Sequence, residues 1–113
     1  MKNFIKPGNT LTLTAPAGGC KSGDFIIVGA TAGVAAFDAV AGADIEVTLT
    51  GVFELPKATG ALNEGAAVSW DNTAHNAVTP GTGKFPIGVV ARAAASADTT
   101  VRVRLNGVAT AAA

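Results

Sequence analysis

The feature that most constrains this chain is the shortness of its apolar runs and the turn residues that separate them. Thr10-Leu11-Thr12-Leu13-Thr14 alternates strictly between polar and apolar residues, as a half-buried strand does. Ile45-Glu46-Val47-Thr48-Leu49-Thr50 and Val101-Arg102-Val103-Arg104-Leu105 alternate in the same way. Asp24-Phe25-Ile26-Ile27-Val28 is a short continuous apolar run between Gly23 and Gly29, and Ala67-Val68-Ser69-Trp70 and Ile87-Gly88-Val89-Val90 lie between the alternating segments. Pro7-Gly8, Gly18-Gly19, Ser22-Gly23, Pro80-Gly81 and Asn106-Gly107 punctuate them as turns. Runs this short leave no room for ordinary helices of about 11 residues. Two alanine-rich stretches, Gly33 to Ala43 and Ala91 to Ala97, are the only helical candidates. Neither carries a 3.6-residue stripe, and both hold or adjoin Gly, Asp or Ser. The fold expected is all-β: a small single-domain β-barrel or β-sandwich of short antiparallel strands, with at most one short helix.

The two halves resemble each other. Gly23-Asp24-Phe25-Ile26-Ile27-Val28 compares with Gly65-Ala66-Ala67-Val68-Ser69-Trp70, Gly33-Val34-Ala35-Ala36 with Gly88-Val89-Val90-Ala91, and residues 44–51 with residues 100–107, in the same order. The expectation is two similar β units. The second copy carries extra residues around Asn72 to Lys84, rich in Asn, Thr, Gly and Pro, which read as a long hairpin or exposed loop. The organisation expected is an N-terminal arm or first strand over residues 1–14, a barrel or sandwich core over 15–107, and a flexible tail over 108–113.

A chain of 113 residues makes one domain that buries roughly two-thirds of its unfolded surface. The single cysteine, Cys20, has no internal partner, which fits a reducing compartment. Eight basic residues balance eight acidic ones, and no Lys or Arg run exists, so the phosphate-neutralising excess of a nucleic-acid binder is missing. No segment approaches the ~20 apolar residues of a membrane-spanning helix, and the first eight residues lack a signal peptide's apolar stretch. Synthesis in a cytoplasm is expected, with no nucleic-acid or membrane partner. Charged residues make up 14% of the chain, against a typical value of about 25%. A surface so poor in charge points to coverage by other protein chains, against the plainer alternative of a polar surface of Thr, Asn and Ser.

No catalytic constellation emerges. The one histidine, His75, lies in a turn-like segment, and no serine sits in a Gly-x-Ser-x-Gly elbow. One Cys, one His and scattered carboxylates give no metal-ligand cluster. Pro80-Gly81-Thr82-Gly83-Lys84-Phe85 superficially resembles a phosphate loop. The first required glycine is replaced by Val78 and the magnesium-binding Ser/Thr by Phe85, so a hairpin turn is the better reading. Trp70, which alternates with Val68, is expected to plug the core rather than stack on bases. The chain is read as a non-enzyme with no cofactor and no metal.

Residues 1–19, Lys21-Ser22-Gly23-Asp24, residues 49–57, Val68-Ser69-Trp70-Asp71 and Ile87-Gly88-Val89 resemble, in this order and spacing, a family of small phage and prophage proteins. That family, long called a domain of unknown function (DUF2190), is regarded as capsid cement or decoration proteins. The resemblance runs from Met1 to about Asn106. Members have also been labelled RecA/RadA-like recombinases, a label the failed phosphate-loop pattern does not support.

The resemblance implies a β-rich capsid decoration (cement) protein of a tailed bacteriophage. It implies that the protein binds the outer surface of the expanded head lattice beside the major capsid protein, commonly as a homotrimer, and resists the pressure of packaged DNA. A small tail, neck or baseplate adaptor is the alternative. On this reading the N-terminal segment is the first contact candidate, through Phe4, Ile5, Pro7, Leu11 and Leu13, with Thr10 to Thr14 adding as an edge strand to a neighbour. The competing reading is that this strand belongs to the protein's own sheet. Glu46, Arg102 and Arg104 share strand faces whose charges are complementary. They either pair within or between subunits or form plain solvated faces.

Overall fold

The alternation at residues 10–14 is realised as the first strand of nine in the computed structural model, which describes residues 8–112. The strands are β1 (Thr10–Thr14), β2 (Phe25–Val28), β3 (Thr31–Ala35), β4 (Asp44–Thr48), β5 (Thr50–Pro56), β6 (Ala67–Asp71), β7 (Asn76–Val78), β8 (Phe85–Arg92) and β9 (Thr100–Asn106). They form two antiparallel sheets, ordered β1-β4-β3-β2 and β5-β9-β8-β6-β7. The all-β expectation holds, in its sandwich-like form, and no helix occurs among the described residues. The alanine-rich stretch after Thr31 begins as β3 because Gly33 allows the close approach of β4. A Cβ there would lie 2.5 Å from the Thr48 carbonyl oxygen and 2.6 Å from Val47 Cγ1. The second stretch finishes β8 and then bridges Leu62 through Ala94.

The internal repeat is carried by the structure pair for pair. Discounting β7, the two sheets have one topology, with β1, β2, β3 and β4 matched by β5, β6, β8 and β9. Phe25 opposes Val34 as Ala67 opposes Val89, and Val34 opposes Thr48 as Val89 opposes Arg104. The loop contacts repeat as well. Ala35 N–H donates to Asp24 O at 2.8 Å as Val90 N–H donates to Ala66 O at 2.9 Å. The Cys20–Ala39 bridge has its counterpart in Leu62–Ala94.

Two cores follow from this arrangement. One gathers Ile26, Ala35, Ile45, Val47, Leu49 and the buried Cys20. The other gathers the matching Val68, Val90, Val101, Val103, Leu105 and Leu62, together with Trp70. The second core also takes Phe25 and Val34 from the first sheet, and the Phe25 and Trp70 rings lie 4.6 Å apart between centroids. The β2–β3 hairpin is therefore buried on both faces. Phe25 and Ile27 face one core, and Ile26 and Val28 the other. A strand covered on both faces has no reason to alternate, which accounts for the unbroken Phe25-Ile26-Ile27-Val28 run.

Candidate interaction surfaces

With the inward residues committed to the two cores, the outward faces of the sheets are what a partner would meet. Their composition follows from strand alternation. On β1 the inward positions are Leu11 and Leu13, half-buried against the first core, and the outward ones are the exposed Thr12 and Thr14. β1 pairs with β4 alone, from Thr10 opposite Thr48 to Thr14 opposite Asp44, so its other edge is open among the described residues. Phe4, Ile5 and Pro7 lie outside the described residues.

Glu46 sits opposite Thr12 and is half-buried, its carboxylate accepting a hydrogen bond from the Thr12 hydroxyl. Arg102 and Arg104 are exposed on β9, in the other sheet from Glu46. The cross-strand neighbour of Arg102 is Glu54 on β5, whose Oε1 accepts from Thr100 Oγ1 at 3.0 Å. Arg104 lies between Val52 and Val89. The outward face of β5, β9 and β8 thus combines Arg92, Arg102 and Arg104 with Glu54 and two exposed valines, Val52 at 58% and Val89 at 37%. Arg92, Val52 and Val89 escaped the sequence reading. They join this face only through pairing between strands that are distant in the chain.

The extra segment of the second unit is a hairpin. Asp71 Oδ1 accepts from the N–H groups of Thr73 and Ala74, at 3.0 and 3.1 Å, and Asp71 O accepts from His75 N–H at 2.7 Å. His75 closes this turn with a φ of 57°, a conformation in which a non-glycine residue is uncommon. Lys84 Nζ donates to Asp71 Oδ2 at 3.0 Å, and this is the one ion pair found among the described residues. The backbone N–H of Ala74, then Lys84, then the N–H of Thr73 hold the Asp71 carboxyl down at about 2. The glycine-lysine segment read as a turn is one, with Lys84 N–H donating to Gly81 O at 3.1 Å.

The strand that follows, β7, pairs with β6 and reaches back to β5. Lys57 and Ala77 form a parallel bridge, and Ala58 N–H donates to Ala77 O at 3.1 Å. Lys57 is itself buried, donating from Nζ to the carbonyl oxygens of Ala58, Asp98 and Ser96 at 2.8, 3.2 and 3.3 Å. Near the C-terminus Thr110 is buried, and its N–H donates to Ala30 O at 2.8 Å.

No group of three or more His, Cys, Asp or Glu that would hold a metal ion occurs among the described residues. Cys20 is buried in the first core, whereas His75 is exposed on the second unit's hairpin. No helix among the described residues is long and apolar enough to cross a membrane. In comparisons with known proteins, the family model described as phage cement protein matches residues 5–105. No curated protein and no solved structure matches the chain.

Proposed function

This chain belongs to the phage cement protein family, and from that premise we propose that it decorates the outer surface of the expanded head of a tailed phage and stabilises that shell against internal DNA pressure. The family is a structural one with a capsid role, and its match over residues 5–105 is the observation that carries the reading. Binding to the expanded lattice alone would stabilise it by mass action, because a ligand of one state shifts the balance toward that state. Contacts repeated over the lattice add up even where each is modest.

Within the chain, we assign contact with capsid or neighbouring decoration subunits to two regions. One is the N-terminal arm, through Phe4, Ile5 and Pro7, continuing into the open edge of β1 that carries Leu11 and Leu13. The other is the charged strand faces bearing Glu46, Arg102 and Arg104. The open edge supports the first assignment. The exposed Arg102 and Arg104, set beside Val52 and Val89, support the second. A homotrimer, set where capsomers meet, is the assembly we assign.

The test is to mix purified protein with emptied, expanded heads and count copies by electron microscopy. Regular density across the outside of the shell, with three-fold clusters, is the result expected. Bare shells, or density at one vertex, would transfer the assignment to a tail, neck or baseplate adaptor.

A further inference from the structure

All three arginines of the chain lie on one outward face of the second unit, and none of them has an ionic partner among the described residues. Arg92 stands directly opposite Arg102 across the β8–β9 pair, and Arg104 follows two residues along β9. Like charges set opposite one another weaken an antiparallel pair. Glu54, the cross-strand neighbour of Arg102 on β5, is engaged by the Thr100 hydroxyl and forms no ion pair. The row is bordered by the exposed Val52 and Val89. Arginine beside exposed apolar side chains is the composition of an interface core, and carboxylates brought by a partner would relieve the uncompensated charge.

The chain carries such carboxylates on the matching face of its other unit. β4 is the counterpart of β9. On it Ile45 and Val47 point into the first core, so Asp44, which is exposed, and Glu46, which is half-buried, share the outward side. They lie two residues apart, as Arg102 and Arg104 do, so both charged pairs have the strand spacing of about 7 Å. Their cross-strand neighbours on β1 are Thr14 and Thr12, whose short side chains leave the carboxylates accessible. Over residues 8–49, Lys21 alone stands against Asp24, Asp38, Asp44 and Glu46. The two sets of charges do not meet within the chain. β4 and β9 belong to different sheets, and Lys84 with Asp71 is the one ion pair found among the described residues.

We propose that the β4 face of one copy, through Asp44 and Glu46, docks on the β9 face of a second copy, through Arg102 and Arg104. The inference rests on the assembly assigned above and names the surfaces that meet in it. A two-fold contact of either face with itself would set arginine against arginine or carboxylate against carboxylate. The complementary contact is therefore heterologous, with different faces on its two sides. Each copy then offers one acidic and one basic face, and the succession of contacts is complete only when it closes into a ring. The planar guanidinium groups suit a carboxylate partner, which they can grip with two parallel hydrogen bonds.

The experiment uses the full chain free in solution. Sedimentation equilibrium measures self-association, and circular dichroism checks the fold of each variant. Arg104 has only Val52 and Val89 opposite it, and Glu46 has Thr12, so Arg104→Glu and Glu46→Lys set no like charges across a strand. Each reversal alone should weaken self-association about tenfold or more, and the chain carrying both should recover to within about threefold of the parent. Arg104→Gln and Glu46→Gln, which remove a charge without reversing it, should each weaken association about threefold. Added salt should weaken the association of the parent. A parent that stays monomeric up to about 1 mM, single reversals that associate as the parent does, or a double reversal that does not recover would overturn the contact. If that chain still coats expanded shells, decoration stands and the contact between copies alone falls. A parent that self-associates with the expected rescue yet leaves shells bare would keep the contact and remove the decoration reading.

Discussion

The two β units share one topology and most of one register, yet they are stabilised differently, and the contrast isolates what each adds. The first unit has small residues, Ala15, Cys20, Val28 and Ala35, where the second has Lys57, Leu62, Trp70 and Val90. It leaves the edge of β2 open, while the second covers the matching edge with β7. The outward face of its β2–β3 hairpin is buried by the second unit, through Phe25 and Val34. The equivalent residues of the second unit, Ala67 and Val89, face outward. A duplicated unit has thus become two different objects. One has the larger core, to which Phe25 and Val34 of the other contribute, and a covered edge. The other is completed by its neighbour on one side and open on the other.

The most severe way to break this arrangement is at Trp70, which is 2% exposed, fills the second core and meets Phe25 of the first unit. Trp70→Ala should cost about 4 kcal/mol, the usual range for emptying a buried aromatic site. Its counterpart Val28→Ala, at a half-buried position, should cost about 1 kcal/mol. Urea unfolding followed by circular dichroism measures both. Equal losses would mean that the second unit does not anchor the first.

The close approach repeated in both units gives the next test. A Cβ at Gly88 would overlap the Arg104 carbonyl oxygen, a backbone atom held within the central β8–β9 pair. At Gly33 the obstacles are the Thr48 carbonyl oxygen and the Val47 and Leu49 side chains, of which the side chains can yield. Gly88→Ala should therefore destabilise by about 3 kcal/mol and Gly33→Ala by about 2 kcal/mol. The same unfolding experiment ranks them, and the reverse order would show that β8 and β9 shift apart more readily than the smaller sheet.

These glycines also mark how far the sequence could be read. Thr10–Thr14 and residues 101–105 declared themselves because each strand has one wet and one dry face, and that alternation is local. The repeat was legible because matching glycines and apolar positions recur at matching offsets. β5 was not legible as a strand. It follows β4 after Leu49 alone, and Gly51 and Pro56 within it mimic turn residues. β3 hid among alanines because its identity depends on β4 approaching Gly33, a contact between separated segments. β7 hid because three residues carry no period. Its place is fixed by Trp70 on one side and Lys57 on the other.

Lys57 sharpens the comparison at smaller cost. It replaces Ala15 of the first unit, and its ammonium group ties the residue 95–98 loop to β5 by donating to the Ser96 and Asp98 carbonyl oxygens as well as to Ala58. Lys57→Met keeps the apolar stem and removes the donors. It should cost about 1–2 kcal/mol, because the three carbonyls lose a charged partner and recover water only in part. Amide exchange near residues 95–98 should quicken while the first unit is unaffected. Unchanged exchange there would mean that the loop is held by its other bonds, the Asp98 carboxylate accepting from Ala95 N–H at 2.8 Å and Ser96 O accepting from Gly60 N–H at 3.4 Å.

The smallest effect expected is one of pH, and it belongs to the second unit alone. Asp71 anchors the β6–β7 turn, where the first unit has Gly29. Its carboxylate is held at about 2, first by Ala74 N–H, then by Lys84 and by Thr73 N–H. Its ordinary value, which it regains on unfolding, is 3.8. A carboxylate whose value is depressed by folding contributes stability in full above the unfolded value and loses it as pH falls through the folded one. The hairpin should therefore hold at neutral pH, weaken as pH falls below about 4, and lose this contribution near 2. The Asp71 carboxylate is open to water, so the effect should appear as local loosening rather than global unfolding. Following the Thr73 and Ala74 amide resonances through an acid titration reads it directly, with a midpoint near 2 expected. Asp71→Asn should abolish the titration and leave the β2–β3 turn unchanged. A midpoint near 3.8 would mean that the turn does not grip its carboxylate, and the covered edge of the second unit would then rest on the β6–β7 pairing and the Lys57 bridge alone.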